Sequence, residues 1–133
     1  MNTQGLRTVA IGTESGRSLQ NQGSVAVGYR SGNGTQGQYS IAIGYQSGES
    51  NQNNYTVAIG YQSGQTNQGD YSIAVGSSSG QTNQGGSAVA VGNNAGNVSQ
   101  TLYSIAIGSG AGQINQGGTG DSIGGSVIPG IAI

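Results

Sequence analysis

Acid–base chemistry in this chain would have to come from four carboxylates, Glu14, Glu49, Asp70 and Asp121, because His, Cys and Lys are absent and the basic side chains are three Arg. Such a set offers no imidazole base, no thiolate nucleophile, no disulfide framework and no zinc site of the common kinds. A glycosidase-like pair needs two carboxylates facing each other across a substrate. Here the four fall at different positions of the internal repeat described below, so they form no repeated site and read as solvated surface groups. The Gly-x-x-x-Gly strings lack the Lys of a phosphate-binding loop and lead into no helix. Calcium binding of the β-roll kind needs an Asp in every turn, and none recurs. Three Arg among 133 residues give phosphate-driven nucleic-acid binding almost nothing to work with. The expectation is a non-enzymatic chain with no cofactor, no metal, no nucleic-acid partner and no membrane insertion.

What recurs instead is amide and phenol. Gln stands at 4, 20, 36, 52, 68, 84, 100 and 116, each step being 16 residues. Side-chain amides stacked about 4.8 Å apart can bond to one another, so the column Gln4, Gln20, Gln36, Gln52, Gln68, Gln84, Gln100 and Gln116 is expected to be a buried or strictly oriented ladder. Two Tyr columns share the period: Tyr29, Tyr45 and Tyr61, and Tyr39, Tyr55, Tyr71 and Tyr103. They are candidate surface contacts, with simple ring stacking as the plainer use.

The elements that must hold these columns follow from the same period. Gly recurs at 12, 28, 44, 60, 76, 92 and 108, each time closing a string such as VAIG or IAVG, and a second Gly follows four residues later. Gly makes up 28 of the 133 residues and charged residues only 5%, against roughly 7% and 25% in ordinary domains. A disordered polar chain has no reason to keep such a register. Helix is disfavoured, because Gly costs about 1 kcal/mol at each helical position and no apolar 3.6-residue period exists. In VAIG the β-branched residues sit two apart, on one face of a strand, with Ala on the other. Strand, Gly turn and polar return arc describe an all-β parallel β-solenoid, a β-roll of 16 residues per coil and about eight coils over residues 1–124.

Stacking turns each position into a ladder. Val9, Val25, Ile41, Val57, Ile73, Val89 and Ile105 form one; Ile11, Val27, Ile43, Ile59, Val75, Val91, Ile107 and Ile123 form another. These aliphatic residues are the expected core. So thin a core for so long a chain suggests that several chains associate, with the Ala column (Ala10, Ala26, Ala42, Ala58, Ala74, Ala90, Ala106) as the expected contact surface, since small side chains let backbones approach. Residues 125–133 leave the register and are apolar; they would either cap the last coil or, through Ile131, Ala132 and Ile133, pair with the open first coil of another molecule and build a filament.

The strings SVAVGYRSG (24–32), SIAIGYQSG (40–48) and SIAIGSGAG (104–112) resemble the head repeats of trimeric autotransporter adhesins of the YadA type, with Ala95 and Ala111 at the family's small position. The resemblance runs from residue 4 to about 124 and implies a left-handed parallel β-roll, three chains packed around an axis, and surface adhesion. Similar repeats also resemble those of viral and phage surface fibres. The unit differs from the family's usual one of about 14 residues, the extra length falling in the Gln/Asn/Gly arc. The family's signal peptide, coiled-coil stalk and membrane barrel are not seen in the sequence, which reads either as a head fragment or as a small protein that reaches a virion or cell surface otherwise.

The functional expectation is a structural or adhesive surface fibre whose partner is itself, as trimer or head-to-tail filament, with carbohydrate or a host surface as a further partner. An ice-binding solenoid is the weaker alternative, because its hydroxyl column (Ser18, Ser50, Thr66, Thr82) is interrupted by Gly34 and Val98. Glycosylation sequons occur at Asn33, Asn54 and Asn97.

Overall fold

The computed structural model of the protein describes residues 3–114, which form thirteen short strands in two parallel sheets, with no helix among the described residues. The first sheet stacks β1 (Thr3–Gln4), β3 (Leu19–Gln20), β5 (Thr35–Gln36), β7 (Ser50–Gln52), β9 (Thr66–Gln68) and β11 (Thr82–Gln84). The second stacks β2 (Val9–Ile11), β4 (Val25–Val27), β6 (Ile41–Ile43), β8 (Val57–Ile59), β10 (Ile73–Val75), β12 (Val89–Val91) and β13 (Ile105–Ile107). Every pairing has a register of 16, as in Val57 opposite Ile73 and Gln52 opposite Gln68, and bridges from Thr82 to Val98 and Val98 to Ile114 carry the first sheet onward. The chain is therefore a β-solenoid with about six turns between β2 and β13, against the eight coils expected over a longer span. Gln116, Ile123 and the segment 125–133, including Ile131, Ala132 and Ile133, lie outside the described residues.

Each coil turns where the backbone enters positive φ. The anchor glycines have φ between +116° and +131°, and a Cβ added at Gly28 would lie 2.4 Å from the carbonyl oxygen of Gly44 in the next coil. No L side chain fits there, which explains a Gly every 16 residues. Non-Gly residues take the left-handed region at other corners: Glu14, Arg30, Gln46, Gln62, Ser78 and Asn94 in one column, Asn51, Asn67 and Asn83 in another. Between coils the backbone pairs repeatedly, the Val57 N–H donating to the Ser72 carbonyl at 3.0 Å and the Gly60 N–H to the Ile43 carbonyl at 2.8 Å.

The two faces of the second sheet are the reverse of the sequence expectation. Ala26, Ala42, Ala58, Ala74, Ala90 and Ala106 point inward and are fully buried. The residues expected as core, Val9, Ile11, Val25, Val27, Ile41, Ile43, Val57, Ile59, Ile73, Val75, Val89, Val91, Ile105 and Ile107, all point outward and none is buried. The reason is the width of the coil. Its interior must hold the inner strand, the second Gly and the Gln column together; a Cβ at Gly64 would lie 2.7 Å from Gln68 Oε1 and 3.1 Å from Ala58 Cβ. Where a methyl on Gly is already too much, an Ile cannot replace Ala. From Ala26 to Ala106 the column is consequently unavailable as a contact surface between chains, and only Ala10, in the lowest described coil, is exposed.

Candidate interaction site

The interior is polar and cross-braced. Gln20, Gln36, Gln52, Gln68, Gln84 and Gln100 extend from the first sheet across the coil, each almost wholly buried, and donate to main-chain carbonyls of the second. Gln68 Nε2 reaches the Val57 oxygen at 2.8 Å and Gln84 Nε2 the Ile73 oxygen at 2.7 Å. Along the axis Gln52, Gln68 and Gln84 each donate to the Oε1 of the next Gln at 3.2 Å. Gln4, with no described coil beneath it, is exposed. The column of the small position that Ala95 and Ala111 share stands beside this ladder: Ser15, Ser31, Ser47 and Ser63 donate to carbonyls of the Ala column one coil on, Ser47 to Ala58 and Ser63 to Ala74 at 2.6 and 2.7 Å, a role that spacing alone did not assign. Its signal was the small residue three positions after each anchor Gly. Through these bonds to one another and to backbone the buried groups brace the coil, while the Oε1 atoms of Gln20, Gln36 and Gln52 accept no hydrogen bond.

Among the described residues the carboxylates are engaged in ion pairs and a cap. Glu14 and Glu49 flank Arg30, with contacts of 3.3 and 3.0 Å, and Arg17 meets Glu14 at 3.2 Å. Four of the seven charges thus neutralise one another on the surface of the first coils. This cluster was legible: Glu14 and Arg30 are 16 residues apart and so occupy one column. Asp70 acts as a cap, its Oδ1 accepting the Asn54 N–H at 2.9 Å, while Asn54 Oδ1 accepts the Gln38 N–H at the same distance. Asp121 lies outside the described residues. Among the described residues no group of three or more acidic, His or Cys side chains could hold a metal, and no helix is long and apolar enough to cross a membrane. Of the sequon residues, Asn33 and Asn97 donate their amides to the carbonyls of Glu14 and Ser78, at 2.9 and 2.8 Å.

What remains open is the outer face of the second sheet. Val and Ile rise along it in two unbroken columns, Ile59 and Ile73 each 37% exposed. Tyr29, Tyr45 and Tyr61 follow the strands on one rim, stacked at centroid distances of 5.2 Å. Tyr39, Tyr55 and Tyr71 precede them on the other, stacked at 5.5 and 5.1 Å. Tyr103 belongs to that second column and is exposed in the uppermost described coil. Across these four columns the one charged residue of the described coils is Arg7, at the lowest level. The first sheet, by contrast, presents amides, Asn51 donating to Asn67 and Asn67 to Asn83 at 3.1 and 2.9 Å.

A family model described as the YadA head domain repeat (2 copies) matches residues 35–47, which run from β5 through β6 to the buried Ser47. That stretch of the chain is thus similar to the YadA head repeat, the one that its Ser-Ile-Ala-Ile-Gly strings resemble. No curated protein and no solved structure matches.

Proposed function

We propose that the protein is a structural and adhesive surface module that works as a self-associated β-solenoid, three chains packing their Val/Ile faces around a common axis. The observation that carries this reading is the outward orientation of every Val and Ile of the second sheet. From Tyr55 to Tyr61 the chain advances six residues, so the face is at most about 20 Å wide at ~3.3 Å per residue. With six steps of ~4.8 Å its height is about 29 Å, giving a projected patch on the order of 600 Å². That lies at the upper end of the apolar patches that monomers leave exposed, about 300–600 Å².

The same width favours three chains. Three faces closed into a prism stand at most about 6 Å from the axis, near the ~5 Å that is half the usual spacing of packed sheets. Four faces would stand about 10 Å away and leave a channel that Val and Ile cannot fill. The YadA head-type repeat points to the same arrangement and to exposure at a cell surface. In such a trimer the amide-rich first sheet, with Asn51, Asn67 and Asn83, faces outward and supplies the nearly uncharged surface that would meet carbohydrate or a host surface. Light scattering over a range of concentrations tests the reading: a particle of three chain masses supports it, a persistent monomer overturns it, and a mass that grows with concentration identifies a filament instead.

A further inference from the structure

We infer that the two Tyr columns are the seams between associated chains, the column Tyr29, Tyr45, Tyr61 of one copy meeting the column Tyr39, Tyr55, Tyr71 of the next. This rests on the proposed association through the Val/Ile face. Around a closed rotational axis each rim of that face meets the opposite rim of a neighbour, because the contact between copies is heterologous. The two Tyr columns occupy opposite rims, one just after the strands and the other just before them.

The lean of the rings narrows the difference in height between the two columns. By chain position the columns are one coil out of step: Tyr29, Tyr45 and Tyr61 go with β4, β6 and β8, but Tyr39, Tyr55 and Tyr71 with β6, β8 and β10. The Tyr39 ring, however, leans over Gly23 of the coil below; a Cβ at Gly23 would lie 2.6 Å from Tyr39 Cδ1. Tyr55 and Tyr71 stack on that ring nearly in parallel, at 17° and then 1°. The lean lowers the second column toward the level of the first. It pairs Tyr29 with Tyr39, Tyr45 with Tyr55 and Tyr61 with Tyr71 of a second copy. Each run of three then ends at a Ser in the next coil, Ser77 above Tyr61 and Ser87 above Tyr71.

Ring chemistry favours this partner. Within each column the ring faces are covered by their neighbours at 5.1–5.5 Å, so a sugar cannot stack on them except at the column ends. The exposed parts are ring edges and hydroxyls, which suit edge contacts and hydrogen bonds with another column of the same repeat.

Dityrosine coupling tests the seam. In a full-length chain with Tyr29, Tyr39, Tyr61, Tyr71 and Tyr103 replaced by Phe, the remaining Tyr45 and Tyr55 lie on opposite rims and cannot couple within one chain. Photo-oxidation should yield covalent dimers and trimers on a denaturing gel, with a Tyr45–Tyr55 linkage by mass spectrometry. A control retaining only Tyr45 and Tyr61, which stack at 5.2 Å in one column, should couple within the chain and give no interchain band. Light scattering is run on both variants. A trimer in which Tyr45 and Tyr55 give only monomer bands overturns the seam while leaving the association standing; a monomer by scattering overturns both.

Discussion

Replacing Gln68 by Leu keeps the volume of a fully buried side chain and removes its hydrogen bonds, so it isolates what the amide ladder contributes. Gln68 donates to the Val57 carbonyl at 2.8 Å and to Gln84 Oε1 at 3.2 Å, and accepts from Gln52 Nε2 at 3.2 Å. Three bonds at a net ~0.5–1.5 kcal/mol each amount to about 1.5–4.5 kcal/mol. Gln20 in the lowest braced coil has less to lose. Its Nε2 donates to the carbonyls of Val9 and Ser24 at 2.7 and 3.3 Å, but its Oε1 has no partner, so Gln20→Leu should cost about 1–3 kcal/mol. Equilibrium urea unfolding at one fixed protein concentration reads both values, since association would otherwise shift the midpoint. A loss below about 0.5 kcal/mol for Gln68→Leu, or a larger loss at Gln20 than at Gln68, would refute the cross-bracing account.

Three further substitutions probe other columns. Ala58→Val adds two methyl groups to an enclosed interior and should cost about 1–3 kcal/mol or more; an unchanged urea midpoint would contradict the inward Ala column. Gly60→Ala places a Cβ 2.5 Å from the Gly76 oxygen at a φ of +131°, so it should cost at least the ~1–3 kcal/mol of a strained backbone and lower the melting temperature. Asp70→Asn retains an oxygen for the Asn54 N–H and should be neutral within about 0.5 kcal/mol, whereas Asp70→Ala loses the cap and about 1 kcal/mol; equal melting temperatures for the two would refute the capping role.

The period of 16, the parallel stacking and the absence of helix were legible because the glycines at 12 to 108 fix every other column by simple counting. The orientation of the second sheet was not. Alternation separates Val57 and Ile59 from Ala58 but does not tell which side is inside, and the assumption that larger apolar residues fill the interior fails in a coil this narrow. A clue lay in the variation. The position of Ala58 is Ala in all seven coils from residue 10 to residue 106, as a tight interior requires, while Val and Ile exchange freely at the positions of Val57 and Ile59, as a face packed against neighbours permits. The ion-pair cluster is visible in the spacing only when the carboxylates are set beside Arg30, which shares the column of Glu14. The lean of Tyr39 over Gly23 could not be read from spacing at all, since it depends on side-chain torsion.

The most direct test of the outward Val/Ile face is to replace Val57, Ile59, Ile73 and Val75 together by Ser and measure both molar mass and β circular dichroism. If these residues join chains and do not fill the coil, the variant keeps the parent's β signal at low temperature and falls from a three-chain particle to a monomer. Loss of the β signal together with the mass would return these residues to the interior, and an unchanged three-chain mass would place the association on another surface.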